Sequence, residues 1–432
     1  MKELVIIGAG MAGVTAAQEA RQLHSKEDLS ITIITKENPP SYTRPQLTEL
    51  LAGTIREGDV IFRDENWFKD RDIQLIYPAQ ATKIDVLEQK VHYSFQGSPK
   101  ECHYNALILA TGASAFAPFM PDSTSPAADA VFSLRTLEDA QNIRQHLALK
   151  RKKAAVLGGG LLGLEAALAL KFTGVEEVHV LEVSGYLLNR QLNRTASEML
   201  RLYLERQEGL VIHTGVHLDT NELKSCSVAE VLRPICNDGV ETLLYSTGVR
   251  SRIHLAKEAG LACGKGIIIN EETATSNPWI FAAGDCAEFQ GITWAIIPSA
   301  LEQGKKAAEF ACWHLFSELQ KAKPEAYQQT IPRTTITIGK REAVSTGKAV
   351  LSVEEENSGL WKNHELGSPL KRGQGKEGDL YVNLVENAET GRIVGALAFG
   401  PWGSSVPWLS KLKQMIGKTW QEIEGQQQGD IR

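Results

Sequence analysis

The sequence has few cysteines, and none of them stands at the spacing of a metal or redox motif. The six cysteines are scattered singly along the chain: Cys102, Cys226, Cys236, Cys263, Cys286 and Cys312. Without a Cys-x-x-Cys or Cys-x4-Cys pair, the sequence predicts neither a zinc knuckle nor a redox disulfide between neighbouring cysteines. Free thiols are typical of a reducing compartment, so we expect a cytoplasmic protein.

The sequence also lacks a long uninterrupted apolar run and a strong excess of one charge. Its longest apolar stretch, 154–170, is broken by glycines and by Glu165, which fits a strand, a turn and a helix better than a membrane span. The first residues lead directly into a strand, so no targeting segment is expected. The net charge of −6 argues against nucleic acid as a partner. We therefore expect neither a membrane nor a nucleic-acid partner.

A metal site is not expected either. His213 and His217 stand four residues apart, a spacing that brings two ligands together on a helix. They lie in a strand-like run, 210–218, so their side chains would not meet on one helical face. The sequence therefore predicts no metal ligand.

What the sequence does have is two Gly-x-Gly-x-x-Gly turns, about 150 residues apart, each between a short apolar strand and an Ala-rich helical run. The first Gly permits a tight bend, the second lets the backbone approach a pyrophosphate, and the third lets helix and strand pack closely. The phosphates then lie at a helix N-terminus, which favours negative charge. The predicted cofactor contacts are Gly8, Gly10, Met11, Ala12 and Gly13 in the first turn, and Gly158, Gly160, Leu161, Leu162 and Gly163 in the second. Two such turns predict two bound dinucleotides, and so an enzyme that passes electrons between nucleotide cofactors.

Each dinucleotide-binding unit needs an acidic residue at the end of its second strand, to accept hydrogen bonds from ribose hydroxyls. In the first unit the candidate is Glu37, for which an ordinary surface glutamate is the alternative. In the second unit Glu182 closes a strand at close to the expected distance from Gly163. A carboxylate there would repel a 2′-phosphate, and no Arg or Lys lies between Glu182 and Leu188. The second unit is therefore predicted to prefer NADH over NADPH.

Four motifs in a fixed order carry a family resemblance from residue 1 to about residue 325. They are the first Gly turn, Ala110-Thr111-Gly112, Thr247-Gly248-Val249-Arg250 and Ala283-Gly284-Asp285. In this order they resemble the FAD-dependent pyridine nucleotide oxidoreductases. The resemblance implies that FAD binds the first turn and NAD(P)H the second, and that Asp285 holds the flavin ribitol; a helix N-cap is the alternative for Asp285. The further cofactor contacts that it implies are Ala110, Thr111, Gly112, Gly248 and Gly284.

Two longer segments narrow the resemblance. Residues 41–53 resemble a stretch shared by rubredoxin reductases, flavoprotein reductases of ferredoxin and the flavin part of assimilatory nitrite reductase, and Arg44 is thereby implied to contact FAD. Residues 294–304 resemble the segment that leads from the flavin ring into a helix beginning near Pro298. The positive end of that helix would stabilise the charge of reduced flavin. The alternatives are a free surface arginine for Arg44 and a core role for Trp294.

The resemblance implies catalytic roles for Glu165 and Trp294. Several relatives place Lys where this chain has Glu49, and pair that Lys with the glutamate at the position of Glu165. Two carboxylates do not form that ion pair, which leaves the partner of Glu165 open. Some rubredoxin reductases resemble this chain in having Glu at the same place.

The family's cysteine-dependent branches carry a redox pair, or a single Cys after the second strand, and the loop 37–45 has none. The flavin is therefore expected to have no thiol partner. Electrons would arrive as hydride from NADH and leave one at a time to a small carrier protein, and the resemblance implies a rubredoxin.

We therefore predict an α/β fold with two Rossmann-like domains of the glutathione-reductase type, for FAD and NADH, and a small α/β C-terminal domain. The predicted boundaries are 1–116 with 251–326 for FAD, 117–250 for NADH and 327–432 for the C-terminal domain, in which a polar insertion, 354–378, is expected to be mobile. The predicted function is an NADH-dependent FAD reductase of a rubredoxin-like carrier. The alternatives are the flavoprotein subunit of a nitrite or ferredoxin reductase and a non-catalytic flavoprotein that senses NADH.

Overall fold

The computed structural model describes residues 1–149, 152–237, 239–318, 322–329, 334–366 and 380–427. By its internal contacts the chain divides into two compact units. The first consists of Met1–Leu50, Ile55–Phe116 and Gly248–Ile331, and the second of Leu51–Thr54, Ala117–Thr247 and Pro332–Arg432. No helix in the described ranges is long and apolar enough to cross a membrane.

The strands, numbered along the chain, are β1 (Lys2–Ile7), β2 (Leu29–Ile34), β3 (Ile73–Ile76), β4 (Ala79–Asp85), β5 (Lys90–Phe95), β6 (Ser98–His103), β7 (Ala106–Leu109), β8 (Ala113–Ala115), β9 (Val131–Ser133), β10 (Lys153–Leu157), β11 (Glu177–Glu182), β12 (Leu210–Thr214), β13 (Val240–Tyr245), β14 (Val249–Ser251), β15 (Ile267–Ile269), β16 (Ile280–Ala282), β17 (Ala287–Phe289), β18 (Thr334–Ile338), β19 (Arg341–Gly347), β20 (Trp361–Leu366), β21 (Tyr381–Asn387) and β22 (Arg392–Pro401).

The α-helices are α1 (Met11–Leu23), α2 (Leu47–Ala52), α3 (Glu65–Lys69), α4 (Leu137–Leu149), α5 (Leu161–Phe172), α6 (Arg194–Arg206), α7 (Val228–Cys236), α8 (His254–Glu258), α9 (Ile297–Leu315), α10 (Val353–Asn357), α11 (Trp408–Met415) and α12 (Trp420–Gln427). Short 3-10 turns cover Arg44–Gln46, Glu57–Val60, Thr220–Lys224 and Gly284–Cys286.

The first unit is built on a parallel five-stranded sheet in the order β16-β7-β1-β2-β3. The four residues of β7 and the last four of β1 are all buried, as expected for strands that are covered on both faces of a parallel sheet. β1 and β7 are neighbours, so the Gly turn after β1 and the Ala110-Thr111-Gly112 turn after β7 lie at the same edge of the sheet. An antiparallel sheet, β4-β5-β6, completes this unit together with two short ladders, β14-β8 and β15-β17.

The second unit contains a second parallel sheet, in the order β12-β11-β10-β13-β9. β10 leads into the second Gly turn, and its neighbour β11 ends at Glu182. The C-terminal segment of this unit forms an antiparallel sheet, β18-β19-β22-β21-β20, against which α11 and α12 bury Leu412 and Ile423. The predicted fold class, two Rossmann-like sheets and a smaller C-terminal part, is confirmed.

The C-terminal segment also holds a correction. The insertion 354–378 was expected to be mobile, but its first part contains most of α10 and the whole of β20, which pairs with β21 from Trp361 to Leu366. β20 is an edge strand, so its polar side chains can face solvent while its backbone pairs on one side. The rest of the insertion lies outside the described residues.

Candidate functional site

The first Gly turn has the shape that its three glycines predict. Gly8 has φ +111°, and a Cβ added there would lie 2.2 Å from the carbonyl oxygen of Ala110. A Cβ on Gly13 would lie 1.9 Å from the carbonyl oxygen of Gly8, so α1 packs directly on the turn. A Cβ on Gly10 would meet no protein atom within 4 Å. Gly8 and Gly13 are therefore required by the fold, whereas Gly10 faces open space at the N-terminus of α1, where Met11 and Ala12 begin the helix.

The second Gly turn repeats this arrangement. A Cβ on Gly158, which has φ +119°, would lie 2.3 Å from the carbonyl oxygen of Ser246, and one on Gly163 would lie 2.0 Å from that of Gly158. A Cβ on Gly160 would again meet nothing within 4 Å. Leu161 and Leu162 start α5, and Leu162 is exposed. Each unit thus has one helix N-terminus with an open approach to its backbone N–H groups, which suits a pyrophosphate.

Glu182 is held at the second turn by backbone groups. One carboxylate oxygen accepts the N–H of Gly159 at 2.6 Å, and the other accepts the N–H of Ser184 at 2.7 Å. The carboxylate therefore lies beside the Gly turn at the end of β11, where a ribose acceptor is predicted. The ribose role itself remains a prediction.

Glu37 has partners that the sequence did not reveal. Its carboxylate accepts two hydrogen bonds from Arg44 Nη2, at 2.8 and 2.9 Å, and one from the hydroxyl of Tyr42. Arg44 also stacks over the Tyr42 ring, and Arg252 Nη1 lies 3.9 Å from Glu37 Oε1. Burial alone would raise the pKa of Glu37, but these cations and the Tyr42 hydroxyl more than offset it, and the pKa falls below its ordinary value. Glu37 is thus neither an isolated ribose acceptor nor a plain surface glutamate.

Arg252 joins the Glu37 cluster to the turn after β7. Its Nη1 donates to the carbonyl oxygen of Thr111 at 3.3 Å, and its own carbonyl oxygen accepts the Thr111 hydroxyl at 2.8 Å. Gly112, which follows, has φ +67°. Arg252 comes some 200 residues after Glu37 in the sequence, so no local pattern could have identified it.

The Ala283-Gly284-Asp285 motif forms a 3-10 turn after β16. Gly284 has φ +80°, and its N–H donates to the buried side-chain oxygen of Gln303 on α9 at 2.8 Å. Asp285 is half-buried, and its carbonyl oxygen accepts the Ser251 hydroxyl at 2.6 Å. Gly248, from the motif Thr247-Gly248-Val249-Arg250, has φ +102° and is the residue at which the first unit resumes after the second.

α9 begins at Ile297, one residue before the predicted start, and packs against α1. A Cβ on Gly304 would lie 2.4 Å from the carbonyl oxygen of Ala12, so the two helices touch through their backbones. Ala12 also lies against Gly284, where an added Cβ would come within 3.0 Å of the Ala12 side chain. The first turn of α1, the Gly284 turn and α9 are therefore held together in one unit.

On the two segments that the family resemblance assigns to the flavin, three buried polar atoms have no hydrogen-bond partner in the described structure. They are Ser41 Oγ, Trp294 Nε1 and Ser299 Oγ. Buried polar groups are normally paired, so these three atoms are available to hydrogen-bond a bound ligand. Together with the open backbone at Gly10, they fit a polar dinucleotide such as FAD.

Glu165 and Glu49, which stand where several relatives have a glutamate–lysine ion pair, lie on different helices. Glu165 is half-buried on α5, in the second unit, and Glu49 is exposed on α2. The catalytic role of Glu165 stays a prediction.

All six cysteines are free thiols, and three of them are buried: Cys236, Cys286 and Cys312. Cys286, next to Asp285, is fully buried, and its thiol donates to the carbonyl oxygens of Leu109 at 3.2 Å and Ala283 at 3.4 Å. Burial raises the pKa of this thiol, so it stays protonated.

Comparison with known proteins points to one family. The family model for pyridine nucleotide-disulphide oxidoreductases matches residues 2–309. The NAD(P)H nitrite reductase of Bacillus subtilis is 30% identical over 413 residues, which cover 91% of this chain and 48% of that protein. The assimilatory nitrate reductase electron transfer subunit of the same organism is 30% identical over 375 residues, 84% of this chain and 45% of that protein.

Among solved structures, the crystal structure of NADH:rubredoxin oxidoreductase from Clostridium acetobutylicum superimposes with a TM-score of 0.76 at 28% sequence identity. The match covers 97% of this chain and 96% of that one. The chain thus spans about half the length of the two Bacillus subtilis relatives and nearly the full length of the Clostridium acetobutylicum structure.

Proposed function

Because the chain belongs to the pyridine nucleotide-disulphide oxidoreductase family, we propose that it passes electrons from NADH through FAD to a small carrier protein, with rubredoxin as the first candidate. Proteins of this family are FAD-dependent NAD(P)H oxidoreductases, and this chain belongs to that class. Its relatives include reductases of rubredoxin, putidaredoxin and nitrite. The choice of NADH, of a carrier protein and of rubredoxin is our proposal, as is a cytoplasmic location.

The observation that carries the proposal is the combination of two open Gly turns with a Cys286 thiol that is buried among its hydrogen-bonded backbone neighbours. The turns at Gly10 and Gly160 provide a place for one dinucleotide in each unit. A disulfide substrate would need an accessible thiol, but Cys286 is buried and hydrogen-bonded to backbone carbonyls. An acceptor that takes electrons without a protein thiol fits this site better.

FAD, when bound, supplies the step between a two-electron donor and a one-electron acceptor. The residues that would hold it are the backbone at Gly10, the carboxylate of Asp285 and the free donor of Trp294. Ser299, in the first turn of α9, adds a hydroxyl at the positive end of a helix, which favours negative charge nearby. Arg44 and Glu37 neutralise each other, so the pair would offer hydrogen bonds without adding net charge.

Glu182 carries the proposed preference for NADH. Its two carboxylate oxygens already accept the N–H groups of Gly159 and Ser184, which fix its position beside the second turn. A 2′-phosphate placed there would meet a fixed negative charge, and like-charge contacts cost several kcal/mol.

The test is an anaerobic NADH-oxidation assay with purified rubredoxin, ferredoxin, flavodoxin and nitrite as separate acceptors. We expect turnover with rubredoxin at least tenfold faster than with the others and none with nitrite alone. Bleaching of the flavin by NADH without onward transfer to any acceptor would contradict the proposal and favour a sensor of NADH.

A second candidate is the flavoprotein part of a nitrite-reducing enzyme. It is favoured by the 30% identity to the Bacillus subtilis nitrite reductase across 91% of this chain. The given sequence has no cysteine cluster that would hold an iron–sulfur centre, so this function would need that centre from a further part of the enzyme. Transfer to ferredoxin faster than to rubredoxin would favour this candidate.

A further inference from the structure

A cluster of three metal-binding side chains lies in the second unit, apart from the predicted nucleotide contacts. Among the described residues, His179 on β11, His213 on β12 and Cys236 at the end of α7 bring one ligand atom each within 4.8 Å of the others. His179 and Cys236 are buried, and His213 is half-buried on the edge strand. His179 lies on the strand that ends at Glu182, three residues before it.

The hydrogen bonds orient His179 as a ligand. Its Nε2 lies 2.7 Å from Glu177 Oε1, and its Nδ1 lies 3.0 Å from His213 Nε2. An ionised carboxylate only accepts hydrogen bonds, so in the neutral ring the proton is on Nε2 and the lone pair of Nδ1 points towards His213. Histidines that bind metals usually donate their other N–H to a carboxylate in this way, which fixes the ring and increases its basicity.

The spacing suits a small transition-metal ion. Two imidazole nitrogens that each lie about 2.0–2.1 Å from one zinc ion have a nitrogen–nitrogen separation close to the 3.0 Å between His179 Nδ1 and His213 Nε2. Imidazole and thiolate are the ligands that zinc selects, and a three-residue set leaves a fourth position for water. The half-exposed side of His213 gives the ion and that water access.

We propose that His179, His213 and Cys236 bind one zinc ion, with Glu177 positioning His179. Binding replaces the thiol proton of Cys236 by a sulfur–zinc bond and releases that proton to solvent. The proton that His213 Nε2 donates to His179 Nδ1 is exchanged through solvent to His213 Nδ1, so that both facing nitrogens offer a lone pair to the ion. With two neutral imidazoles and one thiolate, the zinc site keeps one net positive charge. Glu177 lies on the other side of the His179 ring from the ion and partly balances this charge. Lys153 Nζ lies 3.1 Å from the same Glu177 oxygen. The ion would join β11, β12 and α7, so it would stabilise the second unit without taking part in electron transfer.

This set of ligands differs from the pair of histidines whose spacing stands out in the sequence. His213 and His217 are separated by four residues, but the structure pairs His213 with His179 across two neighbouring strands. A ligand set drawn from two strands and a helix has no spacing signal in the sequence, which is why the expectation of no metal ligand did not consider it.

The experiment uses the full-length FAD-loaded protein and zinc alone as the probe. The protein is stripped with a chelator and reloaded, and zinc is counted by mass spectrometry while its ligands are read by X-ray absorption at the zinc edge. We expect one zinc per chain, with a sulfur neighbour at about 2.3 Å and nitrogen neighbours at about 2.0 Å. Cys236→Ser should remove the sulfur neighbour, and Cys312→Ser, which changes another fully buried cysteine, should leave it in place.

Two further variants keep the test decisive if Cys236→Ser does not fold. His213→Gln changes a half-buried side chain on an edge strand and should weaken zinc binding more than 100-fold in competition with a chromophoric chelator. Glu177→Gln should weaken it by roughly 10- to 100-fold, because only the orientation of His179 is lost. Wild-type protein without a sulfur neighbour at the ion, or a His213→Gln variant that binds zinc as tightly as the wild type, would overturn the proposal.

Discussion

Gly10 and Gly13 stand three residues apart in one turn, yet their surroundings are opposite. A side chain at Gly13 would collide with the Gly8 carbonyl oxygen at 1.9 Å, whereas one at Gly10 would enter space that no protein atom occupies within 4 Å. The turn therefore separates a glycine that the fold requires from a glycine that only a ligand would require.

This difference gives the first prediction. Gly10→Val should fold, because among the described residues a Cβ at this position meets nothing within 4 Å beyond its own turn, but it should lose FAD and yield colourless protein. Flavin absorbance and far-UV circular dichroism measure the two effects separately. Gly58→Val is the matched control, since Gly58 also faces open space without a positive φ and should stay yellow. A Gly10→Val protein with full flavin absorbance would contradict the FAD assignment.

The second prediction concerns nucleotide choice. Glu182→Gln keeps one acceptor oxygen, for the N–H of either Gly159 or Ser184, and removes the charge. The ratio of kcat/KM for NADH over NADPH should therefore fall at least tenfold, equivalent to about 1.4 kcal/mol. Steady-state kinetics with both nucleotides provide the measurement. Glu176→Gln, which removes an exposed charge just before the start of β11, should leave the ratio unchanged. Equal use of both nucleotides by the wild type would show that the carboxylate does not face the 2′ position.

The third prediction is that catalysis survives without cysteine. In Cys286→Ser the hydroxyl can still donate to Leu109 or Ala283, so any loss should appear in stability, on the order of 1 kcal/mol, and not in electron transfer. The variant, alone and with the other five cysteines replaced, is assayed for NADH-driven reduction of a one-electron acceptor. If Cys286→Ser binds FAD and is bleached by NADH but transfers no electrons onward, the protein belongs with the thiol-dependent branch of its family.

The fourth prediction follows from the lowered pKa of Glu37. A carboxyl group whose pKa is lower in the folded state stabilises the protein at pH values above its unfolded pKa, here about 4.5. That stabilisation is lost as the pH falls through the lower folded value. At pH 7, Glu37→Gln should therefore destabilise the flavin-free protein by roughly 1–3 kcal/mol, because Arg44 loses its charged partner.

Urea unfolding of both proteins from pH 7 down to pH 3 measures this difference. The gap between wild type and Glu37→Gln should be constant above about pH 4.5 and should narrow below it. Glu101→Gln, at an exposed ion pair, serves as the control and should show little difference at any pH. A gap that widens on acidification would mean that Glu37 is protonated in the native cluster.

The fifth prediction uses the unpaired indole of Trp294. Trp294→Phe keeps the aromatic ring but removes the buried donor, so the affinity for FAD should fall about tenfold, the cost of one hydrogen bond. Fluorescence titration of the flavin-free protein measures the affinity. Trp279→Phe, at a partly exposed tryptophan, should bind FAD normally. Unchanged affinity in Trp294→Phe would favour the alternative that Trp294 is a core residue.

The local parts of the site could be read from the sequence. A Gly turn, the strand before it and the acid about twenty residues later are fixed by short-range spacing, and Gly10, Gly160 and Glu182 occupy the expected places. The helix predicted over 298–321 begins one residue earlier and ends at Leu315. Helix ends depend on caps and packing that apolar periodicity does not report.

The parts that the sequence did not predict depend on distant contacts. Tyr42 and Arg44 reach Glu37 because a proline-rich loop folds back, and Arg252 reaches it from the residue after β14, some 200 residues later in the sequence. β20 lies in the insertion 354–378, where no strand was predicted. It is rich in polar residues, and its pairing with β21 depends on the neighbouring strand and not on its own composition.

The backbone contact between Ala12 and Gly304 determines when, during synthesis, the first nucleotide site can be completed. The FAD turn is complete in sequence by residue 13, but its sheet still lacks β16, and α1 still lacks α9, until residues 280–315 have been made. At roughly 5–20 residues per second, this delay is on the order of 15–60 s. From residue 109 onwards the nascent chain holds an apolar sheet edge at β7 that lacks its neighbour β16, while the chain for the second parallel sheet is made in full. The nucleotide site that begins first along the chain is therefore completed last.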